Sequence, residues 1–257
     1  MPDDVSHMLL EFEALSLKQL DSVKLLNRQD TKYLFNRARL PDILEHLQKD
    51  YAILDIKGRR LNSYRTLYFD TSDFSLYRKH HNGNLNRLKV RQRIYSDTGL
   101  LYLEVKFKNN KGRTMKERLK LNSLSWPFGQ SEIEFLSTLT GLDPAALQPQ
   151  VWVNYQRLTL SGKQGPERVT LDINLEIERD HRTHKWPGLV IAEVKQDKKT
   201  FSAFSELMRR KHIQGDSLSK YCMAMASTNS NLKQNHFKEK LNLLKQYQHH
   251  EHFASHH

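Results

Sequence analysis

Four cations occupy every second position of the stretch RLKVRQRIY: Arg87, Lys89, Arg91 and Arg93. Leu88, Val90 and Ile94 stand between and after them. Successive side chains of a strand point to opposite faces, so this segment predicts one apolar face and one row of positive charges. Guanidinium and ammonium groups hold phosphate oxygens through charge-assisted hydrogen bonds. Carboxylates among such cations neutralise them or hold a divalent ion, and oxygen ligands suit Mn2+ or Mg2+. The chemistry on offer is recognition of a multiply charged anion such as a phosphate chain.

The alternation recurs along the chain. YLEVKFK sets Glu104, Lys106 and Lys108 against Leu103, Val105 and Phe107, and RTMKERLKL sets Lys116, Arg118 and Lys120 against Met115, Leu119 and Leu121. RQDTKYLF puts Arg28, Asp30 and Lys32 on one side; VWVNYQRLTL does the same with Tyr155 and Arg157. RVTLDINLEIE sets Arg168, Thr170, Asp172, Asn174, Glu176 and Glu178 against Val169, Leu171, Ile173, Leu175 and Ile177. VIAEVKQ puts Glu193 and Lys195 opposite Val194. Asp30, Glu104, Asp172 and Glu193 are the expected counterions, with Glu104 equally a candidate second metal ligand. Tyr155 either flanks a base or packs. Cys222 lies in an apolar stretch and reads as core, while His80 and His81 read as exposed and without a role.

The elements that position these residues are eight strands, at 28–36, 62–70, 86–95, 100–109, 113–121, 151–160, 168–178 and 189–196. SDTG and NNKG are hairpin turns joining the third, fourth and fifth of them. Helical patterns fall at 16–26, 40–50, 131–141, 200–212 and 231–248. The last is an amphipathic helix with Leu232, Phe237, Leu241 and Leu244 on one face, followed by a frayed tail at 249–257. Short hairpins imply antiparallel neighbours, and eight such strands can close into a barrel. The helices need apolar surface to cover, which turns the charged faces inward. The expected fold is therefore α+β: a closed, eight-stranded antiparallel tunnel with a basic interior, wrapped by helices. It forms a single domain over 1–257, with its core at about 10–227.

The formal net charge is +12, and residues 78–118 hold twelve Lys and Arg against Asp97, Glu104 and Glu117. Such a concentration calls for a polyanionic partner. A nucleic-acid module would interleave exposed aromatics with its cations, whereas aliphatics fill these positions. No run approaches a membrane span, no signal peptide opens the chain, and the lone cysteine excludes an internal disulfide framework, so a cytoplasmic location is expected.

In order and spacing, RQDTKYLF, YRTLYFDTSDFSLY, RLKVRQRIY, LYLEVKFK, RTMKERL, YQRLTL, RVTLDINLEI, IAEVKQ and SLSKYCMAM resemble the VTC (vacuolar transporter chaperone) polyphosphate polymerase domain. That family is a branch of the triphosphate tunnel metalloenzyme superfamily. The resemblance implies a tunnel that binds ATP with its phosphates on Lys32, Lys89, Arg91, Lys106, Lys116, Arg157 and Lys220. It adds Arg93 and Arg168 to the wall and makes Glu193 a metal ligand. It further implies transfer of the γ-phosphoryl group to a polyphosphate chain. Glu11 and Glu13 are followed by Leu15, so the Glu-x-Glu-x-Lys opening of the hydrolytic and cyclase branches is absent. The alternatives are hydrolysis of tripolyphosphate or a nucleoside triphosphate, and non-catalytic binding of polyphosphate or an inositol phosphate.

Overall fold

A computed structural model describes residues 3–22, 28–197 and 201–248. All eight expected strands are present: β2 (Arg28–Asn36), β4 (Asn62–Thr71), β5 (Arg87–Tyr95), β6 (Leu100–Lys108), β7 (Thr114–Leu121), β8 (Leu147–Gly162), β9 (Glu167–Arg179) and β11 (Leu189–Asp197). Four short ones join them: β1 (Glu13–Leu15), β3 (Tyr51–Leu54), β10 (Arg182–Trp186) and β12 (Gly215–Asp216). These are too short to display an alternation of their own. The helices are α1 (Asp3–Leu10), α2 (Leu17–Ser22), α3 (Leu40–Leu47), α4 (Ser75–His81), α5 (Gln130–Thr140), α6 (Ala203–Arg210), α7 (Lys220–Thr228) and α8 (Lys238–Gln246). The expected helix at 231–248 thus begins only at Lys238, after a 3-10 turn at Asn235–Phe237. Leu232 and Leu244 are buried as anticipated. Residues 23–26 of the first expected helix, residue 200 of the fourth and the tail at 249–257 lie outside the described residues.

The strands form one twelve-stranded sheet in the order β12-β2-β11-β9-β8-β4-β5-β6-β7. This corrects the closed eight-stranded tunnel: among the described residues, β7 and β12 end the path and do not pair with each other. Antiparallel hairpins dictate neighbours, but nothing in their turns dictates that the last strand meets the first. The sheet nevertheless curls. Lys106 on β6 lies within the electrostatic reach of Glu193 on β11, and Lys89 on β5 within that of Lys32 on β2. Four strands separate β6 from β11 in the sheet order, so a flat sheet would hold them far apart.

Which face turns inward follows from the packing. Tyr33, Phe35, Leu158, Leu160, Val169, Leu171, Val190, Ala192 and Val194 pack under α1, α3 and α6. Leu88, Val90, Leu101, Leu103 and Val105 pack with Leu76 of α4 and Leu136 of α5. Their alternate neighbours, the charged residues, line the concave face, as the need to cover the apolar faces requires.

One strand changes face midway. Two residues of β9, Asn174 and Leu175, oppose the single Tyr155 of β8, and Asn174 has φ 53°. This β-bulge reverses the alternation. Beyond it, Leu175 and Ile177 face inward with Val151 and Val153, and Glu176 and Glu178 turn outward, to Lys185 and Asn154 respectively. The expected single polar face running from Arg168 to Glu178 therefore ends at Asp172. The inward apolar half receives α7, whose Tyr221, Cys222, Met223 and Met225 are buried against it. The concave face is thus a bore, charged along one part and filled by a helix along the other.

Candidate active site

The charged part of the bore is organised around three carboxylates, each held by cations from neighbouring strands. Glu104 on β6 is fully buried. Arg91 on the adjacent β5 donates to its Oε2 from Nε at 2.7 Å, with Nη2 at 2.5 Å. Arg93 Nη1 stands 3.8 Å from the same oxygen, and Lys116 of β7 pairs with Oε1. Burial opposes the charge of Glu104, but Arg91, Arg93 and Lys116 outweigh it and hold the carboxyl well below its ordinary range.

Asp172 on β9 takes a bidentate pair from Arg157, at 2.6 and 2.8 Å, and a further cation in Lys220 at the start of α7. Burial is again overcome, and its carboxyl is lowered to about 2. Glu193 on β11 lies 2.7 Å from Lys195 and 3.4 Å from Lys32. Against the cost of burial, these two lysines hold Glu193 well below the ordinary range.

Lys89 and Lys106 differ from the rest, because neither forms an ion pair among the described residues. They sit opposite each other on β5 and β6, and Lys106 sits opposite Lys116 on β7. Arg91 and burial push the Lys106 ammonium well below its usual range, with Glu193 resisting. Burial likewise lowers Lys89. Cations that bind protons reluctantly in a shared bore create a strong demand for an anion.

An aromatic girdle adjoins the charges. The Tyr64 ring stacks on Tyr155 at 5.3 Å and meets Tyr95 edge-on at 5.1 Å; Tyr95 in turn meets Tyr102. Arg157 and Lys220 lie over the Tyr155 ring. That ring, 3% exposed, is packed by Tyr64 and used by two cations. Arg168 donates to the Leu20 carbonyl of α2 at 2.6 Å. The expected site residues Lys32, Lys89, Arg91, Arg93, Lys106, Lys116, Arg157, Lys220, Glu104 and Glu193 therefore line one bore. Tyr155 and Arg168 belong to its packing and rim.

Three further residues were given no site role from the sequence. Lys195 clamps Glu193 from the same strand. Tyr68, buried on β4, accepts from Arg91 Nη1 at 3.1 Å, and Arg91 and its neighbouring cations lower the phenol against the effect of burial. Asp70, wholly buried, accepts from the Tyr221 hydroxyl and from the backbone N–H groups of Thr71, Leu76 and Tyr77. All three were legible as bore-facing by alternation, Asp70 standing two residues after Tyr68 on β4. His81, expected to be exposed, is 2% exposed and stacked on His236 at 4.6 Å.

Among the described residues, no group of three or more His, Cys, Asp or Glu could hold a metal ion. Glu104 and Asp172 are enclosed by their cations, while the Glu193 side chain is 20% exposed. One accessible carboxylate in a bore lined by cations fits Mg2+ or Mn2+, which take one or two protein carboxylates and complete their shells with other oxygen ligands and water.

The sequence pattern of the VTC domain matches residues 27–229. Among solved structures, a Bacillus halodurans protein provisionally described as an adenylate cyclase is similar at TM-score 0.51 and 14% identity, over 76% of this chain and 96% of that one. A Hippeastrum protein described as an adenylyl cyclase with a dominant triphosphatase activity gives 0.48 and 14%, over 78% and 96%. The Bacillus likeness is one of fold. Comparison with curated proteins found no match.

Proposed function

The chain belongs to the VTC domain family, and from that premise we propose that it is a metal-assisted polyphosphate polymerase drawing on ATP. The observation that carries this reading is the bore itself. Its cations outnumber its carboxylates, and Lys89 and Lys106 form no ion pair among the described residues.

Phosphoryl transfer is mainly positioning and neutralisation of charge, so no nucleophilic side chain is needed when the acceptor is itself a phosphate. Arg91, Arg93, Lys89, Lys106 and Lys116 hold the phosphate oxygens from β5, β6 and β7. Arg157, Lys220 and Lys32 hold them from the facing wall. Glu104 and Asp172 fix the guanidinium groups of Arg91 and Arg157 in place, so that little reorganisation accompanies reaction. A terminal oxygen of the polyphosphate forms a bond to the γ-phosphorus. The bond from that phosphorus to the bridging oxygen breaks, and ADP leaves with the electron pair. Glu193 is the carboxylate assigned to a divalent ion, Mn2+ or Mg2+. Such an ion, when bound, would supply further neutralisation at the phosphate oxygens. An enzyme consuming ATP works where ATP is made, which supports a cytoplasmic setting.

The test is product analysis after incubation with ATP and Mn2+ or Mg2+. Long polyphosphate is the expected product. Free phosphate alone would make the protein a hydrolase, and an unchanged nucleotide would make it a binder. Arg91→Ala and Glu193→Ala should both lose turnover while remaining folded by circular dichroism.

A further inference from the structure

The bore is closed at one end and open along one side. At the closed end α7 fills it, with Tyr221, Cys222, Met223 and Met225 packed against Val151, Val153, Leu175 and Ile177. At the open side stands β7, the last strand of the sheet, whose outer edge has no hydrogen-bonded partner among the described residues. From Thr114 to Arg118 it is exposed, as is Lys120.

Lys116, Arg118 and Lys120 sit opposite Lys106, Glu104 and Tyr102 on β6 and share the bore-facing side with them. A row of cations thus runs from the wall of the bore onto an exposed strand. Arg118 lies over the Tyr102 ring at 4.8 Å. Neither Arg118 nor Lys120 forms an ion pair among the described residues, although Lys116 does. Glu117, the only acid of the strand, points to the opposite face.

We propose that the bore-facing side of β7 is the exit groove for the polymer, in which Arg118 and Lys120 hold a linear polyphosphate chain that has outgrown the bore. The inference rests on the polymerase reading. A chain whose reacting end lies among Arg91, Lys106 and Lys116 cannot leave through α7. The open side carries it out, past Tyr102. Alternate side chains of a strand recur about every 7 Å, which gives a repeating line of charges suited to a uniform linear polyanion. A nucleic acid would require free stacking faces, and the Tyr102 ring is already covered by Arg118.

The test compares the full chain with an Arg118→Ala/Lys120→Ala double variant, using Glu117→Ala as a control on the opposite face. Calorimetric titrations with inorganic tripolyphosphate and with long-chain polyphosphate separate the bore from the groove. The double variant should bind long-chain polyphosphate about tenfold more weakly. Its affinity for tripolyphosphate should stay within about twofold of the parent's, and its products from ATP should be shorter. The control should match the parent throughout. An unchanged affinity for the long chain overturns the groove while leaving the polymerase reading intact. An equal loss for both ligands overturns it too, because the two residues would then belong to the triphosphate site. Single-stranded RNA competing as well as polyphosphate would make β7 a general polyanion surface and overturn its assignment. If the parent binds neither phosphate ligand, the polymerase reading falls and the groove with it.

Discussion

Tyr221 donates its phenolic hydrogen to the buried carboxylate of Asp70, and its ring lies 5.1 Å from that of Tyr68. Tyr68 in turn accepts from Arg91, and Lys220, one residue before Tyr221, pairs with Asp172. A single contact between α7 and the end of β4 thus supports cations on both walls of the bore.

Tyr221→Phe tests that support. It preserves the ring and removes the donor, leaving one oxygen of a buried carboxylate short of a partner. The expected cost is about 1–2 kcal/mol of stability, measured by denaturant unfolding. Because Lys220 and Arg91 would be held less rigidly, kcat for the phosphoryl transfer should fall about tenfold, with KM changing less. A variant that loses stability but keeps kcat would make Tyr221 merely structural.

Glu104→Gln should be far more damaging to the fold. It strips Arg91, Arg93 and Lys116 of their shared carboxylate in a buried setting, at a cost of about 3 kcal/mol. The pH dependence follows from its lowered carboxyl. The stabilisation is fully present above the ordinary value of 4.5 and is lost as pH falls below it towards the folded value. Thermal unfolding between pH 7 and pH 3 should therefore show a shallower acid slope in the variant than in the parent. Tripolyphosphate should restore part of the variant's stability, since it supplies the missing anion.

Lys106→Met should do the reverse. Lys106 binds its proton less tightly in the folded chain than in the unfolded one, so its charge opposes folding below the folded value. That penalty shrinks as pH rises from the folded value towards 10.5. At pH 7 the methionine variant should be more stable by about 1 kcal/mol and inactive as a polymerase. The stability difference should narrow by pH 10. Tripolyphosphate affinity should fall more steeply with rising pH in the parent, where binding requires the proton on Lys106, than in the variant. A melting temperature that drops on substitution would show that Lys106 is already neutralised by a partner.

The charged walls were legible because alternation writes them directly into sequence. Lys89, Arg91 and Arg93 face the bore as every-second-residue spacing demands, and the eight principal strands lie within a few residues of their expected bounds. The direction of those charges followed from the apolar faces left for helices to cover. What escaped had no period to betray it. Helix α7 is buried on nearly every side, so KYCMAMA shows no polar face, and only Ser219, accepting from the Cys222 N–H, marked its start. The Arg168–Glu178 pattern looked uninterrupted because a bulge adds a residue without disturbing the local run of polar and apolar types. The open side at β7 depends on where a distant strand ends up, and no local pattern carries that.

The reversal at Asn174 has a consequence for the length of the charged channel. On one side of it β9 presents Asp172 to Arg157 and Lys220; on the other it presents Leu175 and Ile177 to a helix. The residue is therefore a depth stop. Sliding it by two positions would lengthen or shorten the charged channel by about 7 Å. One asparagine thereby sets where the charged channel ends and the helix-filled half begins.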